Sequence, residues 1–457
     1  MKKLLFLIST LFLLYSTSYA CIGDTSGLTD GLTNCVGPIY NSQFTFWIEI
    51  YIIGFLTFEF ILTKVLAYLN TLNWSDELPT ELKGIYDEEK YKKSQSYEKE
   101  KHKFSIITTS FSFIVMLLMI IFGGFGFIDA FLRNYVQNPM ILTITFFALI
   151  VFLQTLLNLP FSYYSTFVIE EKFGFNKSTK KLFFIDSIKS LVLGYVIGLS
   201  LLALLVFVYN KLGNNFWWIA WIIMSSFSLF FMLFYSTLIV PLFNKQIPLQ
   251  DQELKKKIEE FAKKVGFKLD NIYEMDASKR SSKGNAYFSG FGSKKRIVLF
   301  DTLIKDLSQD EIVAVLAHEI GHYKRKHTLQ MLIFSIIQTG VIMYLFSLAL
   351  EIPEISLSLG AKLPSFHMGL IAFTILFTPV SIILSLFGNI LSRRNEYQAD
   401  EFAGINNEAS LLQSALKKLS LNNLSNLRPH KAYEFFYYSH PTVLKRLAFL
   451  EKFKKVG

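Results

Sequence analysis

Long, almost uncharged apolar stretches recur along this 457-residue chain, and they restrict its fold more than any other feature. Each has the length of about 20 residues that a helix needs to cross the hydrocarbon core of a bilayer. A helix satisfies the backbone hydrogen bonds of such a stretch away from water. The sequence therefore predicts a mostly α-helical, polytopic membrane protein. Its seven transmembrane helices are expected at roughly residues 45–69, 104–129, 140–159, 182–209, 217–243, 328–351 and 366–392.

The N-terminus has the pattern of an export signal. Two lysines precede a short apolar stretch, and a small-x-small site ends at Ala20. Residues 1–20 are therefore expected to be a signal-peptide-like segment and residues 21–44 an exported segment. An uncleaved eighth span and a lipid-modified Cys21 are the two alternatives. The second cysteine, Cys35, also lies here, so a metal bound elsewhere must use His and carboxylate ligands.

Basic residues are sorted by loop, so the net charge of +10 does not form one patch. The loops 70–103 and 170–181, the segment 244–327 and the tail after 392 are rich in Lys and Arg, whereas the connections between them carry only Arg133, Lys211 and Lys362. The positive-inside rule then places the two long polar segments on the cytoplasmic face and the mature N-terminus outside. The chain is therefore expected to be a multi-pass integral membrane protein with its long polar segments on the cytoplasmic side, in the inner membrane if the source is bacterial and in the endoplasmic reticulum if it is eukaryotic. Nucleic acid is not expected as a partner.

Two polar regions are long enough to fold, and each is small for a core of its own. The region 244–327 follows five membrane helices within 45–243, and the region 393–457 follows two more within 328–392. We expect the two regions to pack on each other and on the membrane helices. In the first, the patterns predict a helix over 251–266, strands at 271–276, 285–290 and 296–300, and a capping box formed by Ser308 and Glu311.

The helix that begins at this capping box carries the motif His318-Glu319-Ile320-Gly321-His322. Residues four apart lie on one face of a helix, so both imidazoles can bind one metal ion. Glu319 lies beside that face, where its carboxylate can take a proton from a metal-bound water. The motif therefore predicts a hydrolytic metal site.

A hydrolytic metal needs a third protein ligand and one open position. Downstream of the last span, Glu396 and Asp400 are also four residues apart. Glu396 could bind the ion while Asp400 accepts a hydrogen bond from the outer nitrogen of a ligating histidine. On spacing alone this evidence is weak, because Glu and Asp four residues apart occur by chance on many solvated helices.

Further motifs resemble one known family. They are YSTFVIEEKFGFN at 164–176, PLFNKQIPL at 241–249, SKRSSKGNAYFSGF at 278–291, RIVLFDTLI at 296–304, HEIGH at 318–322, SRRNEYQADEFA at 392–403 and SHPTVLKRL at 439–447. In this order, the chain resembles the type I CAAX prenyl proteases, which are seven-span zinc endopeptidases of the endoplasmic reticulum, and related bacterial proteins. The signal-like N-terminus departs from the eukaryotic pattern and leaves the need for a prenylated substrate open.

The resemblance implies a ring of seven helices around a water-filled chamber, with a small gluzincin-like α+β domain and one Zn²⁺. It implies His318, His322 and Glu396 as zinc ligands, Glu319 as general base and Asp400 as the partner of a ligand. It also implies that Asn285 binds substrate and that His440 and Arg446 contact the substrate or the transition state. These eight positions are the predicted site residues.

The predicted reaction is metal-assisted hydrolysis of a peptide or protein substrate in the lipid bilayer, by resemblance the C-terminal processing of prenylated CAAX proteins. The alternatives are a quality-control protease that does not require prenylation, a non-catalytic channel or scaffold, and a transporter. Of the remaining histidines, His327 is expected to be solvated or interfacial, and His367 is expected at the outer interface.

Overall fold

The computed structural model describes residues 40–75, 77–84, 86–269, 271–289 and 296–453. The predicted signal segment, most of the exported segment and both cysteines lie outside these ranges. The described part begins with the helices α1 (Ser42–Thr71), α2 (Glu88–Ile121), α3 (Gly124–Arg133), α4 (Pro139–Tyr164), α5 (Lys180–Gly194), α6 (Ser200–Leu212), α7 (Trp217–Leu238) and α8 (Val240–Phe243). Short π-helical turns follow α4 at Ser165–Glu170 and join α5 to α6 at Tyr195–Leu199.

The chain continues through β1 (Gln246–Pro248), α9 (Gln252–Lys264), β2 (Asn271–Met275), β3 (Ala286–Ser289), β4 (Arg296–Phe300), α10 (Asp301–Asp306), α11 (Gln309–Lys324), α12 (His327–Leu350) and α13 (Pro353–Leu357). It ends with α14 (Phe366–Leu376), α15 (Thr378–Asn406), α16 (Ala409–Asn422), α17 (Lys431–Tyr437) and α18 (Val443–Leu450). Single 3₁₀ turns lie at Thr80–Leu82, Gly213–Phe216, Ala277–Lys279 and Glu451–Phe453.

Polar side chains start the membrane helices. The side chains of Asn41, Asp87, Asn138 and Thr179 accept hydrogen bonds from the first-turn amides of α1, α2, α4 and α5 respectively. Such caps satisfy amide donors that have no partner within the helix. The apolar interior follows directly in α1 and α4, whereas α2 first continues through a charged segment that ends near residue 103.

The membrane helices form a closed ring. Going round it, α1 contacts α2, α3 connects α2 to α4, and α4 contacts α6. The circuit continues through α7, α12 and α14, and α14 packs against α1 again. The predicted class, a polytopic helical membrane protein with a small mixed sheet, is confirmed.

The number of spans depends on how one long stretch is counted. Five helical stretches of the described chain are long and apolar enough to cross a membrane, or six if the pair α14 and α15, bent by 58°, forms one span. One of the five, Lys180–Phe243, has 64 residues. As a straight helix it would be roughly 96 Å long, about three times the hydrocarbon thickness. It breaks at Gly213, where φ is +55°, so counting it as two spans gives the predicted seven.

A four-stranded sheet of order β1-β2-β4-β3 lies in the polar region. β2 and β4 are parallel, and β3 is antiparallel to β4 at one end of the sheet. The three predicted strands are therefore confirmed, whereas the three-residue β1 was not predicted. β3 pairs on one side with β4, and no described strand pairs with its other edge.

Helices from both polar regions share one core with this sheet. The core contains Leu254 and Ile258 of α9, Leu316 and Ile320 of α11, and Leu412 of α16. α11 also packs along α15, which continues from the membrane into this domain. The two polar regions thus form one unit around α11, as expected.

Candidate metal centre

The helix α11 positions two histidines side by side. It begins at the predicted capping box, in which Ser308 Oγ accepts from the Glu311 amide and the Glu311 carboxylate accepts from the Ser308 amide. One turn apart on this helix, the Nε2 atoms of His318 and His322 lie 3.2 Å from each other. Both nitrogens therefore face one point.

Glu396 of α15 points at the same place. Its Oε1 lies 3.2 Å from His322 Nε2, and its Oε2 lies 3.4 Å from His318 Nε2. The carboxylate is buried, and its Oε2 has no hydrogen-bond partner among the described residues. Burying such an oxygen unpaired is costly unless something else binds it.

These three side chains fit a single metal ion. Their ligand atoms all lie within 4.8 Å of one another. Two atoms bound to one tetrahedral ion at roughly 2.1 Å would lie roughly 3.4 Å apart, which matches the distances between the histidine nitrogens and the Glu396 oxygens. The unpaired Oε2 of Glu396 is consistent with the same role.

Close packing of two helices brings Glu396 within reach of the histidines. Gly321 of α11 faces α15, and a methyl group at this position would lie 3.1 Å from both the Cα and the carbonyl oxygen of Ala399. Such contacts are tighter than ordinary van der Waals contacts. A glycine here therefore lets α11 approach the segment that carries Glu396 and Asp400.

Asp400 lies behind the metal centre. It is fully buried, and its Oδ1 lies 2.8 Å from His318 Nδ1, the ring nitrogen that faces away from Glu396. The Arg446 guanidinium of α18 binds this carboxylate through two hydrogen bonds, from Nε at 2.9 Å and from Nη2 at 2.6 Å. Arg446 Nη1 also lies 3.5 Å from Glu396 Oε2.

The pKa of His318 reflects these neighbours. Burial and the Arg446 charge both disfavour protonation of the ring, but the nearby carboxylates of Asp400 and Glu396 outweigh them and raise the pKa to about 9. Because ligands must be deprotonated to bind a metal, a metal ion and a proton compete for His318 Nε2.

Glu319 lines a cavity of about 440 Å³ beside the metal centre. No hydrogen bond or ion pair joins its carboxylate to another described residue, so both oxygens can accept. The same cavity is lined by Asn285, His318, His322, Glu396, His440 and Arg446. Seven of the eight predicted site residues thus meet in one place, and the eighth, Asp400, lies behind His318.

Two of these residues reach the cavity from other elements. His440 precedes α18, its side chain is 62 % exposed, and its Nε2 lies 3.2 Å from Glu396 Oε1. Asn285 precedes the edge strand β3, and its side-chain oxygen accepts from the Ala286 amide at 2.8 Å. The start of the free strand edge therefore lies beside the metal centre.

Sequence reasoning missed the partner of His322. His327, expected to be solvated or interfacial, is only 3 % exposed. Its Nδ1 lies 3.0 Å from His322 Nδ1, and its Nε2 lies 2.8 Å from Gln398 Oε1. Two features of the sequence could have indicated this contact. His327 lies five positions after His322, and the polar residue Gln398 lies between Glu396 and Asp400.

His367 was also wrongly predicted. It is 1 % exposed rather than interfacial, and its Nε2 lies 2.8 Å from Asp129 Oδ1. Asp129 in turn pairs with Arg133. This cluster is far along the chain from the metal centre, and it connects α3 to the start of α14.

The fold and the site together are those of an integral-membrane metallopeptidase. Residues 67–245 match the family model of the CAAX prenyl protease N-terminal region, described by five membrane helices, and residues 248–454 match peptidase family M48. The chain belongs to the CAAX prenyl protease family within peptidase family M48. The predicted resemblance and the predicted enzyme class are therefore confirmed.

Relatives match over most of their length. CAAX prenyl protease 1 of Saccharomyces cerevisiae is 37 % identical, over 88 % of this chain and 95 % of the yeast protein. The Homo sapiens CAAX prenyl protease 1 homolog is 34 % identical, over 83 % of this chain and 89 % of the human protein. The crystal structure of S. mikatae Ste24p superposes with a TM-score of 0.84 at 36 % identity, covering 88 % of this chain and 99 % of that one.

Proposed function

We propose that this protein is a zinc endopeptidase that processes the C-termini of prenylated CAAX proteins. The observation that carries the proposal is the convergence of His318, His322 and Glu396 beside the free carboxylate of Glu319 in one cavity. The names of the relatives supply the substrate class, since they match this chain over most of their length.

Zinc suits the donor set. Two histidines and one carboxylate are the protein ligands of a common class of catalytic zinc site, which keeps one position open. When bound, zinc would polarise the scissile carbonyl and acidify the attacking water. One ion accounts for all three ligand atoms.

Glu319 is the proton acceptor in this proposal. Its carboxylate lines the cavity and has no described partner, so it is free to take the proton of the attacking water. It then delivers that proton to the nitrogen of the leaving peptide, as general acid–base catalysis requires.

The other residues bind and orient. An extended substrate can add a strand to the free edge of β3, which begins at Asn285 beside the metal centre. His440 Nε2 can donate a hydrogen bond to the oxygen of the scissile carbonyl as negative charge develops there. Arg446 holds Asp400, and Asp400 holds the His318 ring in the orientation that points Nε2 at Glu396.

The test is hydrolysis of a farnesylated CAAX peptide by the purified protein. We expect cleavage before the last residues of the peptide, loss of cleavage with a chelator, and recovery with added Zn²⁺. Glu319→Gln keeps the size of the side chain and all three ligands, so it should retain the metal and lose nearly all turnover. Glu396→Ala should lose most of the metal.

Two results would contradict the proposal. Full activity of Glu319→Gln would exclude this residue as the base. Cleavage of unprenylated, unfolded membrane proteins at the same rate as the farnesylated peptide would replace C-terminal processing with the quality-control alternative.

A further inference from the structure

A second cavity lies along the edge strand β3. It has a volume of about 650 Å³, and its walls include Met232 and Tyr235 of α7, Phe243 of α8, and Tyr287 and Phe288 of β3. No charged side chain lines it. Successive side chains of a strand point to opposite faces, so Tyr287 and Phe288 together show that this cavity wraps round the strand edge.

This side cavity adjoins the metal centre. Phe288 and Thr328 line both the side cavity and the cavity that contains Glu319. Along β3, Asn285 and Ala286 face the catalytic cavity, and Tyr287 and Ser289 face the side cavity. At roughly 3.4 Å per strand residue, an extended substrate that pairs with β3 would pass from the catalytic cavity to the side cavity within one or two residues.

One wall of the side cavity is fixed by hydrogen bonds, and another belongs to a membrane helix. The Tyr287 hydroxyl lies 3.3 Å from both Ser236 Oγ and Gln246 Nε2, which holds the ring against α7. Tyr235, on the last turns of the same membrane helix, is about half exposed. Because Tyr235 also lines the side cavity, the cavity opens at an exposed, apolar position of a membrane helix.

Other cavities of similar size in the described part of the chain are less suited to hydrocarbon. One of about 650 Å³ is lined by Glu170, Asp186 and Arg280 together with Asn, Ser and Thr side chains. Another, of about 610 Å³, is lined by Arg393, Arg394 and other charged residues. Burying hydrocarbon there would desolvate polar groups at a cost.

We infer that the side cavity binds the isoprenyl chain of the substrate cysteine, next to the bond that is cleaved. The inference rests on the proposed function, and it adds the place where the lipid is recognised. The lack of charge, the shared wall with the catalytic cavity and the opening at a membrane helix all agree with this occupant.

The first test compares S-farnesyl and S-methyl forms of one CAAX peptide. Met232→Trp fills the side cavity with an apolar ring and touches no metal-centre residue. We expect it to reduce the ratio of kcat/KM for farnesyl over methyl by roughly 10-fold or more, the scale on which apolar pockets discriminate, because kcat/KM falls much further for the farnesyl peptide than for the methyl peptide. Leu238→Trp is the control, because Leu238 is on the same helix, half exposed and outside the cavity lining.

A second measurement does not depend on that variant. The zinc-loaded Glu319→Gln protein binds a peptide whose isoprenyl chain carries a benzophenone, and irradiation links it to nearby residues. We expect adducts within 231–243. Adducts confined to the helices around Asp186, or an unchanged farnesyl preference in folded Met232→Trp, would overturn the inference and leave the proposed function intact. A wild-type protein without any farnesyl preference would overturn both.

Discussion

The two histidines of α11 are held by different kinds of partner. His318 Nδ1 faces the Asp400 carboxylate, whereas His322 Nδ1 faces the ring of His327, which in turn faces the amide of Gln398. For His322 to bind a metal through Nε2, its proton must lie on Nδ1, and His327 Nδ1 must accept it. His327 then donates from Nε2 to the Gln398 oxygen, so one carbonyl fixes the protonation of both rings.

His327→Ala should therefore weaken metal binding. We expect the dissociation constant for Zn²⁺ to rise about 10–100-fold, the usual effect of removing the partner of a ligating histidine. His327→Asn, whose amide oxygen can accept from His322 Nδ1, should restore part of the affinity. Competition with a chromogenic chelator measures both.

The matched control is His102→Ala, because His102 packs edge-on against Trp74 and does not line the metal-centre cavity. Equal zinc affinity in folded His327→Ala and His102→Ala would show that His327 does not contribute to metal binding.

His440 gives a separate test of the site. Its exposed ring touches the cavity through Nε2, and Ser439 Oγ lies 2.9 Å from Nδ1. Loss of one hydrogen-bond donor to a developing oxyanion typically costs about 10²–10³-fold in turnover. His440→Ala should therefore lower kcat on that scale and leave zinc content and KM nearly unchanged. If the zinc-loaded variant turns over normally, His440 is only a residue at the start of α18.

At the residue scale, the sequence predicted site residues that share one helix, and it missed contacts between residues of different helices. The four-residue spacings of His318 with His322 and of Glu396 with Asp400 were visible. The contacts of His327 with His322 and of His367 with Asp129 join separate elements. No helical period relates such positions, so both histidines were wrongly placed at interfaces or in solvent.

At the scale of elements, the approach of α11 to α15 determines whether the metal centre can form. Gly321→Ala would gain intrinsic helix propensity of about 1 kcal/mol, yet its methyl group would press on the Ala399 backbone. We expect the helices to separate by a few tenths of an ångström and zinc affinity to fall roughly 10-fold.

Zinc titration of Gly321→Ala checks this prediction. Gly198→Ala is the control, since a methyl group there meets no atom within 4 Å. A stabilised Gly321→Ala protein with unchanged zinc affinity would show that α11 and α15 can accommodate the methyl group without separating at the metal centre.

The sequence patterns predicted those strands and helices that have one clearly apolar face or a recognisable cap. The strands β2, β3 and β4 and the capping box of α11 follow from such patterns. The short strand β1 contains Pro248 and has no alternation to reveal it; it forms because β2 offers an edge for antiparallel pairing. The bend of 58° between α14 and α15 was hidden within one continuous apolar run.

At the scale of the whole molecule, the basic loops lie at the same end as the catalytic domain. Tyr86 OH donates to the Ser420 carbonyl at 3.0 Å, and Lys283 Nζ lies 2.8 Å from Glu170 Oε2 and 2.9 Å from Tyr97 OH. The segments before and within α2, and the turn after α4, thus contact the domain that holds the metal centre.

The charge asymmetry predicts that this end faces the cytoplasm. In a variant with both native cysteines replaced by serine, single cysteines at Lys92 and Lys256 should react with an impermeant maleimide only after the cells are permeabilised. A cysteine at Tyr135, an exposed residue at the other end, should react in intact cells. If the cysteines at positions 92 and 256 react in intact cells, the predicted orientation is wrong.

The helix α15 runs without a break from Thr378, in the membrane, to Asn406, beyond Asp400. His318 and His322 precede α12 and α14, and Glu396 follows them. During synthesis, the histidines therefore leave the ribosome before the carboxylate that completes their site, and two membrane helices must be inserted in between. We therefore expect a protein that fails to insert its last helices to lack a complete set of ligands, so that protease activity develops late in biogenesis.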